Sequence, residues 1–93
     1  MATSAGGKQL VQFVAANVRN ARLGVGLTQA QLAELIGVDV RQLQNIEAAR
    51  SGPSFDALAA LAEALGMPAS KLLEPVRFKN AKRGRPRKSD VPE

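Results

Sequence analysis

The chain is predicted to be all-α: five short helices in one small domain, followed by a basic tail. Three observations predict this. Apolar residues recur at spacings of three and four between residues 8 and 73, the spacing that lines one face of a helix. The runs are punctuated by capping residues and glycines at Gly24, Thr28, Gly37, Asp39, Ser54 and Gly66. Finally, 93 residues at 45% apolar content, with three Phe and no Trp or Tyr, suit one compact core of Leu, Ala and Val.

The first helix is expected from about Lys8 to Leu23. Leu10, Phe13 or Val14, and Val18 mark its buried face, and Gly24 and Gly26 end it. The second helix starts after Thr28, which with Gln31 has capping-box spacing, and its apolar positions are Leu32, Ala33, Leu35 and Ile36. Gly37 then turns the chain, where a left-handed backbone costs glycine little. Asp39 and Gln42 repeat the capping-box spacing at the third helix. Its Leu43 and Ile46 face inward, while Val40, Arg41, Gln44 and Asn45 fall on the opposite stripe. Ser54 caps the fourth helix, whose stripe is Phe55, Leu58, Leu61, Ala62 and Leu65, with Gly66 as its end. Pro68 suits the first turn of a fifth helix through Leu72 and Leu73, and Pro75 closes the domain. Residues 1–7 are expected to be flexible, 8–75 to form the domain and 76–93 the tail. Val76-Arg77-Phe78 suits a short strand or a packed extension, and disorder is expected from Lys79 onward.

Composition narrows the function. Without cysteine there is no disulfide framework and no thiolate metal site. Without histidine, the commonest general base and metal ligand are missing. No nucleophile sits beside a base, no carboxylate cluster suggests a metal, and Gly24-Val25-Gly26 ends a helix rather than cradling a phosphate. No enzyme, no cofactor and no small-molecule ligand are therefore expected. Residues 1–7 do not read as a signal peptide, and no apolar run is long enough for a membrane span. The expected location is the cytoplasm, at the nucleoid if DNA is the partner. Charge is unevenly distributed. Residues 1–75 carry six basic and six acidic side chains, while residues 76–93 carry seven basic and two acidic. Attraction to polyanions thus belongs mostly to the tail, and the folded part must work with a few placed cations.

The second and third helices form a helix-turn-helix pattern. Ala33 lies where a larger side chain would push the two helices apart, Gly37 makes the turn, and Leu32, Ile36, Val38, Leu43 and Ile46 anchor the unit. The same pattern also fits an αα-hairpin in an unrelated bundle. In a helix-turn-helix, the outer face of the third helix enters the major groove. There Arg41 can bridge the two acceptors of guanine, Gln44 or Asn45 can pair with adenine, and Val40 can cover a thymine methyl. A merely solvated helix face is the competing reading.

Residues 18–75 resemble the Cro/repressor-type helix-turn-helix family, also called the xenobiotic-response-element (XRE) family. The resemblance is carried by Val18-Arg19-Asn20-Ala21-Arg22, Gly26-Leu27-Thr28-Gln29, Gln31-Leu32-Ala33, Ile36-Gly37-Val38, Ile46-Glu47, Pro53-Ser54, Leu58, Leu61-Ala62, Ala64-Leu65-Gly66 and Leu72-Leu73. It implies a five-helix fold in which the third helix reads DNA. It implies base contacts at the positions of Val40, Arg41 and Asn45, phosphate or supporting roles for Gln29 and Gln42, and a buried ion pair between Arg22 and Glu47. Thr28, Arg50 and Ser51 are counted with the phosphate contacts. The sequence departs from the family at Ala48-Ala49, where a glycine usually follows Glu-x, so a differently shaped loop is expected there. The resemblance also implies a homodimer, with an interface expected around Leu72, Leu73, Val76 and Phe78; the alternative is that these residues complete the monomer core.

Within the tail, Lys82-Arg83-Gly84-Arg85-Pro86-Arg87-Lys88 resembles an AT-hook. Glycine lets the backbone lie flat on the groove floor, proline keeps it extended, and the two arginines of the core suit the narrow minor groove of an A·T tract. A nonspecific basic tail that collects phosphates is the alternative. The expected function is a sequence-specific transcriptional regulator, a repressor or an activator, bound to double-stranded DNA. Two competing functions are an antitoxin that also binds a toxin, and a nucleoid-associated architectural protein.

Overall fold

The caps set the helix boundaries. The computed structural model describes residues 5–76, and these form α1 (Ala5–Gly24), α2 (Gln29–Ile36), α3 (Val40–Glu47), α4 (Phe55–Leu65) and α5 (Ala69–Leu72). At α2, the Thr28 hydroxyl accepts from the Gln31 amide at 3.0 Å, and the Gln31 side chain accepts from the Thr28 amide at 2.9 Å, completing the expected capping box. Gly37 ends α2 in the left-handed region at φ 76°, its amide bonding back into the last turn. At α4, the Ser54 hydroxyl accepts from the Ala57 amide at 3.1 Å and Gly66 closes the helix at φ 70°. α3 departs from expectation. The Asp39 carboxylate accepts from Arg41, the second residue of the helix, at 2.8 Å, rather than from the third as in a capping box. Pro68 sits at the N-cap of α5, one position before the expected first turn.

α1 packs against α3, α4 and α5, α2 packs against α3 and α4, and α5 returns onto α4. The core is built from Val14, Val18, Leu32, Ala33, Leu43, Ile46, Leu58, Leu61, Ala62, Leu65 and Leu72, with Ile36 and Val38 partly buried against it. The Asn17 amide donates to the carbonyls of Leu72 and Glu74, both at 3.0 Å, and so pins the end of α5 to α1. Among the described residues no helix is long and apolar enough to cross a membrane.

Several expected positions differ. α1 begins at Ala5 rather than Lys8, because extending an existing helix by a turn is far cheaper than nucleating one, even through Gly6 and Gly7. Leu10 is 47% exposed: it lies on the N-terminal turns of α1, away from the main core cluster. Leu35 is 62% exposed, since at about 100° per residue it lies roughly 110° from the centre of the face shared by Leu32, Ala33 and Ile36. Phe55 is 89% exposed although its helical phase is close to that of Leu58; as the first residue of α4 it projects past the layer its helix packs on. Leu72, expected at a dimer interface, is fully buried within the chain and belongs to the core.

The loop after α3 resolves the departure from the family pattern. Ala49 takes up φ 60°, the left-handed conformation that glycine adopts at little cost. The local backbone is therefore the one a glycine would serve, held by an alanine at some strain. Ala49→Gly is expected to raise stability by up to about 1 kcal/mol, the relief of strain outweighing the extra freedom of glycine in the unfolded chain. Urea unfolding of the two proteins measures this, and a less stable glycine variant would show that the alanine methyl is worth more than the strain.

Candidate nucleic-acid interface

α3 is eight residues long, too short to be stable alone, so its position must come from what holds it. Leu43 and Ile46 anchor its inner side in the core. Its C-terminal end is held by charge. Glu47 receives Arg22 in a two-pronged pair, Nε to Oε2 at 2.7 Å and Nη2 to Oε1 at 3.0 Å. Both side chains are nearly withdrawn from water, at 9% and 4% exposure. The guanidinium also donates through Nη1 to the Leu27 carbonyl at 2.9 Å, and Gln29 Nε2 donates to Glu47 Oε1 at 3.1 Å. One cluster thus joins α1, the α1–α2 turn, α2 and α3. The hydrogen bonding that Arg22 donates to Glu47 raises the Arg22 pKa above its ordinary value; burial opposes this and the carboxylate charge adds to it. A raised pKa stabilises the fold below the unfolded value and loses that contribution only as pH climbs through the folded one. Arginine is already protonated far above neutrality, so Arg22 gives no pH dependence in the ordinary working range.

The opposite side of α3 faces solvent. Val40, Arg41, Gln42 and Gln44 are exposed, and Asn45 is half-buried, its Oδ1 accepting from Arg50 Nη1 at 3.2 Å. This places an apolar group, a guanidinium and a carboxamide on one outward stripe, with a second carboxamide oriented by the loop that follows. Thr28 is exposed, and its hydroxyl, though accepting as a cap, keeps a hydrogen to donate. Gln29 is half-buried and turned onto Glu47, which gives it the supporting role rather than that of an uncommitted phosphate donor. Arg50 and Ser51 are exposed in the α3–α4 loop. Ala33 is buried in the core and Gly37 makes the α2–α3 turn. Leu73 and Val76 lie at the end of the described chain, exposed and half-buried respectively. Phe78 and the AT-hook-like segment from Lys82 to Lys88 lie outside the described residues.

Sequence reasoning missed Lys8 and Gln12. They line an open cleft of about 370 Å³ together with Val11, Arg50, Ser51 and Gly52. No spacing rule pairs the start of α1 with a loop some 40 residues later.

A core-anchored α3 with a free polar stripe, preceded by a glycine turn and a short α2, defines the class of helix-turn-helix DNA-binding proteins. The helix-turn-helix family model HTH_3 matches residues 18–72, more than half the chain, and the chain belongs to that family. It is similar to a crystal structure of a hypothetical transcription factor, NHTF, from Neisseria, with 31% identity and a TM-score of 0.70 over 73% of this chain and 76% of that one. The clp gene regulator ClgR from Corynebacterium glutamicum is 31% identical, with a TM-score of 0.66 over 69% and 68% of the two chains. The restriction-modification controller protein C.AhdI from Aeromonas hydrophila is 27% identical, with a TM-score of 0.64 over 67% and 94%. No curated protein sequence matches the chain. Family and neighbours together make this a DNA-binding protein of the transcription-regulator class.

Removing one partner of a buried pair leaves the other charge uncompensated. Glu47→Ala is therefore expected to destabilise the domain by about 3–5 kcal/mol. Thermal melting checks it: a variant that melts within a degree of wild type would mean that Arg22 finds water or another partner at little cost.

Proposed function

We propose that the protein is a sequence-specific transcriptional regulator whose α3 lies in the major groove of double-stranded DNA. The supporting observation is the two-sidedness of α3: Leu43 and Ile46 buried, Val40, Arg41 and Gln44 exposed, and the end locked by Glu47. In this reading Arg41 bridges a guanine, Gln44 and Asn45 address an adenine, and Val40 covers a thymine methyl. Thr28, Gln42, Arg50 and Ser51 set the register on phosphates. The tail supplies the sequence-independent attraction, with Arg83-Gly84-Arg85-Pro86 entering an A·T-rich minor groove beside the half-site.

The active form in this reading is a homodimer on two half-sites about one helical turn apart. With Leu72 committed to the core, the proposed contact surface moves to the exposed Leu73 and the apolar groove it shares with Leu10, Val14, Pro53, Phe55 and Leu58. The occupant proposed for that groove is a second copy of this chain. A protruding Phe55 beside an apolar groove is self-complementary, as a two-fold contact requires.

DNA binding across a salt series tests the main reading. Full-length protein and residues 1–78 are compared on the DNA upstream of the gene and on a scrambled duplex of equal A·T content. Both forms should prefer the upstream DNA, with a shallower salt slope after truncation. Arg41→Ala should lose about 1–3 kcal/mol on the preferred site and relax specificity at one base pair. Equal binding to both duplexes, lost on truncation, would overturn this reading in favour of an architectural role. For the dimer, Phe55→Asp should keep the fold, since an acidic residue suits the first turn of a helix, and sediment as a monomer where wild type self-associates. Unchanged self-association would remove Phe55 from the interface.

A further inference from the structure

The family match begins at residue 18, but α1 begins at Ala5. The first turns of α1 therefore precede the shared helix-turn-helix segment, and the structure lays them against the loop that follows α3. The approach is close: a Cβ placed on Gly52 would meet Val11 Cγ2 at 3.2 Å. The Val11 side chain thus lies beside Gly52, and both line the cleft that holds Lys8, Gln12, Arg50 and Ser51.

The cleft is lined by two cations, a carboxamide and a hydroxyl, and by no carboxylate among the described residues. That is a donor set for an anion. Its polar side chains are exposed, so an incoming ligand need not displace a core contact. Residues 1–75 hold only six basic side chains, and Arg22 is committed to Glu47, so two of the remaining five meet at one cleft in a segment of zero net charge. The volume of about 370 Å³ leaves room for a hydrated phosphate group. The cleft is also wired to the recognition stripe, because Arg50 Nη1 donates to Asn45 Oδ1 at 3.2 Å.

We propose that this cleft is a phosphate site for the DNA backbone and that Lys8 and Gln12, on the N-terminal turns of α1, are ligands of one phosphodiester beside the half-site read by α3. The proposal rests on the reading of α3 as the recognition helix. Lys8 supplies charge and Gln12 a neutral donor, so the two act differently. A phosphate held there fixes the register of the domain from the far side of the α3–α4 loop and lengthens the footprint by a contact the helix-turn-helix segment does not supply.

The test uses the full chain with Lys8→Ala, Lys8→Arg, Gln12→Ala and Arg41→Ala. The probes are a duplex selected by the wild-type protein from a randomised pool and a scrambled duplex of equal composition, titrated from 50 to 200 mM KCl. Loss of one phosphate contact lowers the slope of log K against log salt by about 0.9, so the gap between wild type and Lys8→Ala should narrow by about 3.5-fold over that range. Lys8→Ala should weaken both duplexes alike, and Lys8→Arg should restore the slope. Gln12→Ala should weaken both without changing it. Circular dichroism and melting of Lys8→Ala should match wild type. A wild-type slope and affinity for Lys8→Ala would overturn the phosphate site. The recognition reading is decided separately: it fails if wild type prefers neither duplex and Arg41→Ala changes nothing, whatever Lys8→Ala does to the slope.

Discussion

The position of α3 depends on the Arg22–Glu47 pair more than on any feature of α3 itself. Eight residues cannot sustain a helix in water, and the inner side of α3 offers the core only Leu43 and Ile46 as fully buried side chains. The pair supplies what hydrophobic contact does not, a direction. A planar guanidinium meeting a carboxylate at 2.7 and 3.0 Å allows little rotation of the helix about its axis. The two further donors on the cluster, the third guanidinium bond to Leu27 and the Gln29 amide on Glu47, draw the α1–α2 turn and α2 into the same constraint. Replacing a buried ion pair by apolar groups is often neutral or stabilising, so its value here lies in geometry rather than net stability. Rotating α3 by half a residue would turn a different set of side chains outward.

This use of charge explains the electrostatics of the whole chain. The segment through residue 75 is neutral, and one of its six cations is committed to structure. Long-range attraction to a polyanion must then come from the tail, while the domain contributes a handful of cations at fixed places. Such a division separates affinity from discrimination. In the proposed reading, a tail rich in Arg and Lys would supply most of the sequence-independent attraction, and the neutral domain would add only the few phosphate contacts its placed cations allow.

Much of this architecture was legible in the sequence because it is local. Thr28 with Gln31, Ser54, Gly37 and Gly66 act within one turn of themselves, and each does in the structure what its residue type favours. Leu10, Leu35, Phe55 and Leu72 show what local pattern does not carry. Periodicity gives the phase of a side chain around its helix, not its depth, and depth depends on where a neighbouring helix ends. Phe55 has an inward phase at a helix end with little among the described residues over it, whereas Leu72, on a four-residue helix, is sealed by the return of α5 onto α1 and α4. The cleft containing Lys8 was invisible for the same reason, being made by two segments far apart in sequence. The Arg22–Glu47 pair came from family resemblance, since no spacing rule links residues 25 apart.

The loop after α3 shows how a departure from a family pattern can be absorbed. An alanine at φ 60° is strained, and strain of that kind persists only where the surroundings leave the backbone no alternative. Here they leave little. The Ala49 and Arg50 amides bond back to Ile46 and Asn45 at 3.1 and 2.9 Å, the Arg50 side chain returns to Asn45, and the start of α1 closes on Gly52 from the other side. The last of these constraints comes from residues that precede the family segment. The extension of α1 thus helps to hold the loop in the shape that glycine would otherwise make cheap. It does so at the point where Arg50 and Ser51 must stand still if they are to position a helix on DNA. Glycine serves the turn at Gly37, where an added Cβ would meet nothing within 4 Å and the backbone angle alone decides the residue. At Ala49 the fold achieves the same angle by packing around it, which makes the loop stiffer than its glycine-bearing counterpart would be.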